Sequence, residues 1–196
     1  MDLDQYILLS LQEDVGPGDF SSLSCIPVNA NSKANLIIKD KGILAGIELA
    51  ERIFKTVDAS LQINIFKKDG QQIDKGDIAF TVEGNVLAIL KSERLVLNCM
   101  QRMSGIASTT YLYAEQVKHT KAKILDTRKT TPLNRYIEKW AVRIGGGHNH
   151  RFGLYDMIMI KDNHVDYAGG IKQAIESANS FRKNRNLNIP IEIETR

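Results

Sequence analysis

The chain has 196 residues and a mass of 22.0 kDa; 43% of the residues are hydrophobic, 25% are charged, and the formal net charge is +3. Apolar residues in that proportion, with so little net charge, describe a globular chain with a core and exclude disorder as its main state. No apolar run approaches the roughly 20 residues of a membrane span, and a charge of +3 is too slight to argue for a nucleic-acid partner.

Residues 1–105 and 106–196 read as two domains of different character. The start, MDLDQYILLSLQEDVG, carries acids where an export signal needs positive charge. It reads instead as an amphipathic helix with Leu3, Tyr6, Ile7 and Leu11 on one face, closed by Gly16-Pro17-Gly18. Strand-like runs follow at 34–39, 61–66 and 78–82, with a helical pattern over 47–57 and turns at Asp69-Gly70 and Lys75-Gly76-Asp77. A small sheet with helices on one face, an α+β domain, is the expectation. Residues from about 85 to 117 read as mostly helical, with an interruption near Ser104-Gly105.

The second stretch alternates. AKILDT at 122–127 has the unbroken apolar character of a strand covered on both faces. A helix is predicted after it, with Thr131 as N-cap and Pro132 at its first position. Its apolar face is Tyr136, Ile137, Trp140, Ala141 and Ile144, and Gly145-Gly146-Gly147 stops it. A second strand, MIMIK at 157–161, precedes a helix with Ile171, Ala174, Ile175, Ala178 and Phe181 on one face, and a third strand covers 189–195. Strand–helix alternation of this kind builds parallel sheets. Arg128, Lys161 and Glu194 fall 33 residues apart at the ends of the three runs, the edge that carries chemistry in α/β folds. Three strands do not close a barrel of about 250 residues, so the chain is expected to be the front part of a longer protein.

Between Arg128 and His164 lie seven Lys/Arg and three acids, a net +4 in a chain whose total is +3. Arg128, Lys129, Arg151 and Lys161 sit at strand ends or in loops, joined by His148, His150 and His164. Cations converging on one concave edge call for an anionic ligand. Arg suits carboxylate or phosphate with paired hydrogen bonds, and Lys supplies a point charge. Glu194 among them suits a hydrated Mg²⁺ shared with substrate phosphates. Arg135, Lys139 and Arg143, inside the helix, read as surface; the triple glycine reads as a helix stop; Met100 and Met103 read as core. His148-Asn149-His150 is an HxH pair of zinc-binding type, although Arg151 is a poor neighbour for a cation. Cys25 and Cys99 show no CxxC spacing and read as small hydrophobes in a reducing cytoplasm.

LDTRKTTP at 125–132 and KWAVRIGGGHNHRFGLYDMIMIKDNH at 139–164 resemble the quinolinate phosphoribosyltransferases, the decarboxylating nicotinate-nucleotide pyrophosphorylases. EDVGPGDFSS at 13–22, SERLVLNCMQRMSGIAS at 92–108 and IEIET at 191–195 match further blocks of that family in order. Leu133 departs from the pattern, because the family more often has Gly after the proline. The resemblance implies an N-terminal α/β sandwich followed by the first part of an incomplete α/β barrel, assembled as a homodimer or larger. It implies transfer of a phosphoribosyl group to quinolinate with decarboxylation, giving nicotinate mononucleotide, pyrophosphate and CO₂ with Mg²⁺. Arg128, His150, Arg151 and Lys161 would line the quinolinate pocket, with Thr127 and Lys129 beside them. Glu194 would lie near the ribose and Mg²⁺ of phosphoribosyl pyrophosphate, and Lys129, Lys161 and Glu194 would serve the chemistry. Arg94 would reach into a partner subunit's site. The family's later acidic residue and glycine-rich phosphate loops would lie beyond Arg196. Two alternatives stand beside this: a relative of the same fold linked to molybdenum transport, and a metal-dependent hydrolase using His148 and His150.

Overall fold

The computed structural model describes residues 2–194. The chain forms two compact units, one reaching to Asp126 and including Thr130–His148, the other made of Thr127–Lys129 and the chain from Asn149 onward.

The first unit opens with α1 (Leu3–Val15), which buries Leu3, Tyr6, Ile7 and Leu11, the four residues its periodicity selects. Asp2 caps it, accepting from Gln5 N at 2.8 Å. A short helix, α2 (Phe20–Cys25), follows on the Asp19 cap, and the sequence reading had no element there. The chain continues through β1 (Asn31–Ile37), β2 (Gly42–Ile43), α3 (Ile47–Val57), β3 (Gln62–Ile65), β4 (Gln72–Ile73) and β5 (Ile78–Asn85). Strands β1, β5 and β3 form an antiparallel sheet in that order, and β2 pairs with β4. Phe54 of α3 meets Phe80 of β5 edge-to-face at 5.8 Å, where helix and sheet share the core.

Helix α4 (Val86–Val117) runs 32 residues without the interruption expected at Ser104-Gly105. A glycine inside a helix costs about 1 kcal/mol relative to alanine. Here the serine beside it compensates through tertiary bonds: Ser104 Oγ accepts from Ala45 N at 3.0 Å and donates to Ala45 O at 3.1 Å. Cys99, Met100, Met103 and Ala107 of the same helix are core. Cys25, by contrast, is exposed.

Helix α5 (Arg135–Ile144) starts three residues later than expected, its cap at Asn134 and not at Thr131. Residues 131–134 form a turn instead, closed by Asn134 N donating to Thr131 O at 3.1 Å. Leu133 takes a left-handed φ of 65° in that turn, so the departure from the family's glycine falls at the one position of the loop where glycine has a conformational reason. The left-handed region costs an L-residue about 1–2 kcal/mol, against about 0.5–1 for the chain entropy of glycine. Leu133 is 76% exposed, so little packing is lost with its side chain. Leu133→Gly is therefore expected to raise stability by about 0.5 kcal/mol, read as a small rise in melting temperature; a fall would mean that the side chain packs more than its exposure implies.

The triple glycine ends α5 and lets it approach α4. A Cβ at Gly145 would lie 2.4 Å from Ala107 O, and one at Gly147 would lie 2.8 Å from side-chain carbons of Thr110 and Val142. A correction concerns Lys139, read from sequence as surface. It is 2% exposed and forms a buried ion pair with Asp126. A second buried charge, Glu138, accepts from Arg102 Nη2 at 2.8 Å and from Thr131 N at 3.3 Å.

The stretch 122–127 is not a strand. It makes one parallel bridge, Leu125 with His148, in which His148 N donates to Ile124 O at 2.8 Å and Asp126 N to His148 O at 3.1 Å. Contact with a single residue cannot propagate a ladder, and Leu125, expected to be covered, is 52% exposed.

The second unit holds β6 (Ile158–Ile160), α6 (Asp162–Ala168), α7 (Ile171–Asn184) and β7 (Ile191–Ile193). β6 and β7 pair in parallel, Ile158 opposite Ile191 and Ile160 opposite Ile193, the helices forming the crossover. Helix α7 has the predicted span, yet Ala174 is the only residue of its apolar face that is buried; Ile171 and Phe181 are about half exposed. Helix α6 was not anticipated. The expected third strand matches β7, while Thr195 lies outside the described residues.

Candidate functional site

Seven of the eight residues singled out from sequence belong to the second unit: Thr127, Arg128, Lys129, His150, Arg151, Lys161 and Glu194. Arg94, the eighth, is exposed on α4 of the first unit.

The ends of the parallel pair place the charged groups. Glu194 N donates to Ile160 O at 2.8 Å, which continues the β6–β7 ladder one residue past β7 and sets Glu194 beside Lys161. Lys161 Nζ then donates to Glu194 Oε2 at 2.5 Å. That bond and the Lys161 charge hold the Glu194 carboxyl below the usual carboxylate range, with smaller contributions from His150 and Lys129. Lys161, His150, Lys129 and Glu194 are thus one electrostatic group. Alternation along β7 puts Glu192 on the face of Glu194, and Glu192 Oε2 lies 2.8 Å from His150 Nε2. Sequence reasoning missed Glu192, although the IEIE pattern itself places it beside Glu194.

Short turns set the remaining groups. Thr127 Oγ1 accepts from Lys129 N at 3.0 Å, a local turn that bends the chain at Arg128. Arg128 Nε is shielded from solvent. The loop after Arg151 is tied by Asp156, which accepts from Phe152 N at 2.6 Å and Gly153 N at 2.8 Å. His164 does not join the cations. Its Nδ1 accepts from Lys161 N at 2.9 Å and closes the first turn of α6. His148 is engaged through its backbone in the bridge to Leu125. Among the described residues no group of three or more His, Cys, Asp or Glu is arranged to hold a metal ion, and nothing here supports the hydrolase alternative.

On the first unit, a cavity of about 470 Å³ is lined by residues that include Arg94, Arg102, Tyr6, Cys99, Pro132 and Leu133. Burial pushes both the Tyr6 hydroxyl and the Cys99 thiol up from their ordinary values; the two groups lie 3.5 Å apart. Cys99 is therefore inert as a nucleophile. No helix among the described residues is long and apolar enough to cross a membrane.

Comparison with known proteins gives consistent matches. The family model "Quinolinate phosphoribosyl transferase, N-terminal domain" matches residues 19–104, and its C-terminal counterpart matches residues 106–196. A protein of Arabidopsis thaliana named nicotinate-nucleotide pyrophosphorylase [carboxylating], chloroplastic, is 47% identical over the whole chain. A probable nicotinate-nucleotide pyrophosphorylase of Bacillus subtilis is 44% identical over 93% of it. The chain spans 56% of the first relative and 63% of the second. Among solved structures, NadC from Streptococcus pyogenes superimposes with a TM-score of 0.89 at 38% identity, over 97% of this chain and 67% of that one. Human nicotinic acid phosphoribosyltransferase shares the fold at a TM-score of 0.54 and 11% identity, over 75% of this chain and 35% of that one.

Proposed function

The chain belongs to the quinolinate phosphoribosyltransferase family, and from that membership we propose that it binds quinolinate and supplies part of the site that transfers a phosphoribosyl group to it. The observation that carries this reading is the gathering of seven implied residues in one unit, with Lys161 and Glu194 paired at the ends of parallel strands.

In this reading Arg128, Arg151, His150 and Lys161 hold the two carboxylates of quinolinate and orient its ring nitrogen toward the ribose carbon of phosphoribosyl pyrophosphate. The nitrogen forms the new bond as the bond to pyrophosphate breaks. The ribose carbon is cationic in between, and Glu194, kept ionised by Lys161, offsets that charge. Thr127 and Lys129 contact the ligands beside it. Loss of CO₂ then leaves an electron pair on the ring carbon that carried the carboxylate; the adjacent nitrogen, cationic after glycosylation, stabilises that pair, and a proton taken up from water completes the ring. No covalent enzyme nucleophile is needed.

Mg²⁺ fits the residues present in a limited role. The oxygen donor that this reading assigns to it is one solvent-accessible carboxylate, Glu194, and Mg²⁺ readily combines one carboxylate with waters and substrate phosphates. When bound, it supplies charge neutralisation for the departing pyrophosphate. A homodimer or larger assembly is part of the proposal, with Arg94 on α4 serving a second copy. The free thiols of Cys25 and Cys99 suit a reducing compartment, here taken to be the cytoplasm.

Calorimetric titration with quinolinate, and with nicotinate as the single-carboxylate control, tests the reading. Saturable binding of quinolinate and much weaker binding of nicotinate is the expected result. Equal binding of both, or binding of neither by a folded chain, rejects it.

A further inference from the structure

We propose that Glu192 is a positioning residue: it holds the Nε2 proton of His150 and thereby sets the plane and tautomer of that ring before any substrate arrives. Three observations carry this. The Nε2–Oε2 distance is 2.8 Å, and a carboxylate can only accept, so the proton sits on Nε2. Glu192 lies within β7, in register with Met159 of β6, so the backbone ladder fixes where its carboxylate stands. The neighbouring carboxylate on the same face, Glu194, is engaged with Lys161 instead, so the two acids serve two different partners.

The His150 side chain is 14% exposed while that of Glu192 is 44% exposed. The ring is therefore held mostly inside the unit by a carboxylate that solvent still reaches. A hydrogen bond this open adds little to stability, so a variant at 192 is expected to fold, and its effect appears at the ring. With Nε2 committed to Glu192, any hydrogen bond His150 donates to a bound anion runs through Nδ1, which carries a proton only in the imidazolium form. That consequence for quinolinate rests on the function proposed above; the hydrogen bond itself does not.

The test compares the wild-type chain with Glu192→Gln and Glu192→Leu by ¹H–¹⁵N NMR of the histidine rings, with His150→Gln identifying the resonance. In the wild type a downfield, exchange-protected Nε2 proton of His150 is expected even where the ring is neutral. Glu192→Gln keeps an acceptor and keeps that resonance. Glu192→Leu loses it and weakens quinolinate binding roughly tenfold, the worth of one hydrogen bond to a charged group. A resonance that persists in Glu192→Leu, or is missing from the wild type, overturns the proposal. So does unchanged quinolinate affinity in Glu192→Leu once the resonance is gone. If the wild type binds no quinolinate, the function proposed above fails, and the resonance pattern alone decides the role of Glu192.

Discussion

Replacing Lys139 by methionine is expected to destabilise the protein by about 3–5 kcal/mol, because it breaks a buried ion pair and withdraws the ammonium from the Asp126 carboxylate. Against a total stability of about 5–15 kcal/mol, that is a large fraction. Lys139 is 2% exposed, and the Asp126 side chain 7%. Neither group can exchange its partner for bulk water without local unfolding. Methionine keeps the aliphatic length of lysine and preserves packing, so the loss reports the charge and not a cavity. Trp140, the chain's single tryptophan, follows Lys139 in α5. Its fluorescence in urea follows the unit concerned, and a shift of midpoint without a change of slope gives the difference. Pairing the change with Asp126→Asn, which removes the carboxylate charge as well, is expected to recover part of the loss. A loss below about 1 kcal/mol for Lys139→Met would place this pair with exposed ion pairs.

Lys139 also marks where reading the sequence stops. Helices α1 and α3 were legible because each buries one face, and periodicity reports that directly. Helix α5 buries Ile137 and Ala141 as its pattern predicts, but also Glu138 and Lys139. Their partners, Arg102 and Asp126, come from distant positions in the chain, and nothing in a local pattern distinguishes a charge that will be matched from one facing water. The stretch 122–127 failed for a related reason. An unbroken apolar run reports the capacity to be covered, whereas a strand also needs a partner in register, and this one meets only His148. The short helices α2 and α6 span less than two turns, too few for a period to show.

The site was legible in a different way. Its candidate residues could be named because five blocks of sequence resemble one family; of the three spaced 33 apart, Lys161 and Glu194 follow the parallel strands β6 and β7, whereas Arg128 follows no strand. Glu192 escaped because attention to strand ends overlooks the residue two positions inside, on the same face. His164 was gathered with the cations on proximity in sequence, but its ring accepts a backbone hydrogen bond instead.

Arg128→Ala is expected to weaken quinolinate binding by about thirtyfold or more, since truncating one partner of a shielded charge pair costs about 2–5 kcal/mol. The position justifies so large a figure. Arg128 stands in a turn set by the Thr127 Oγ1–Lys129 N hydrogen bond, and its Nε is shielded from solvent. A guanidinium whose Nε is withdrawn from water offers a carboxylate a paired fork with less solvent to displace. Arg128→Lys tests that geometry separately. It keeps the charge and loses the fork, so its affinity is expected to fall between those of the wild type and alanine. Lysine equal to arginine would mean that charge alone matters, and that the turn at Thr127–Lys129 contributes nothing to recognition. Titration of all three chains with quinolinate, beside a far-ultraviolet circular dichroism unfolding curve for each, separates loss of the ligand from loss of the fold. If alanine binds as the wild type does while its unfolding curve is unchanged, Arg128 is not in the quinolinate pocket, and the assignment of Arg151, His150 and Lys161 beside it loses its anchor.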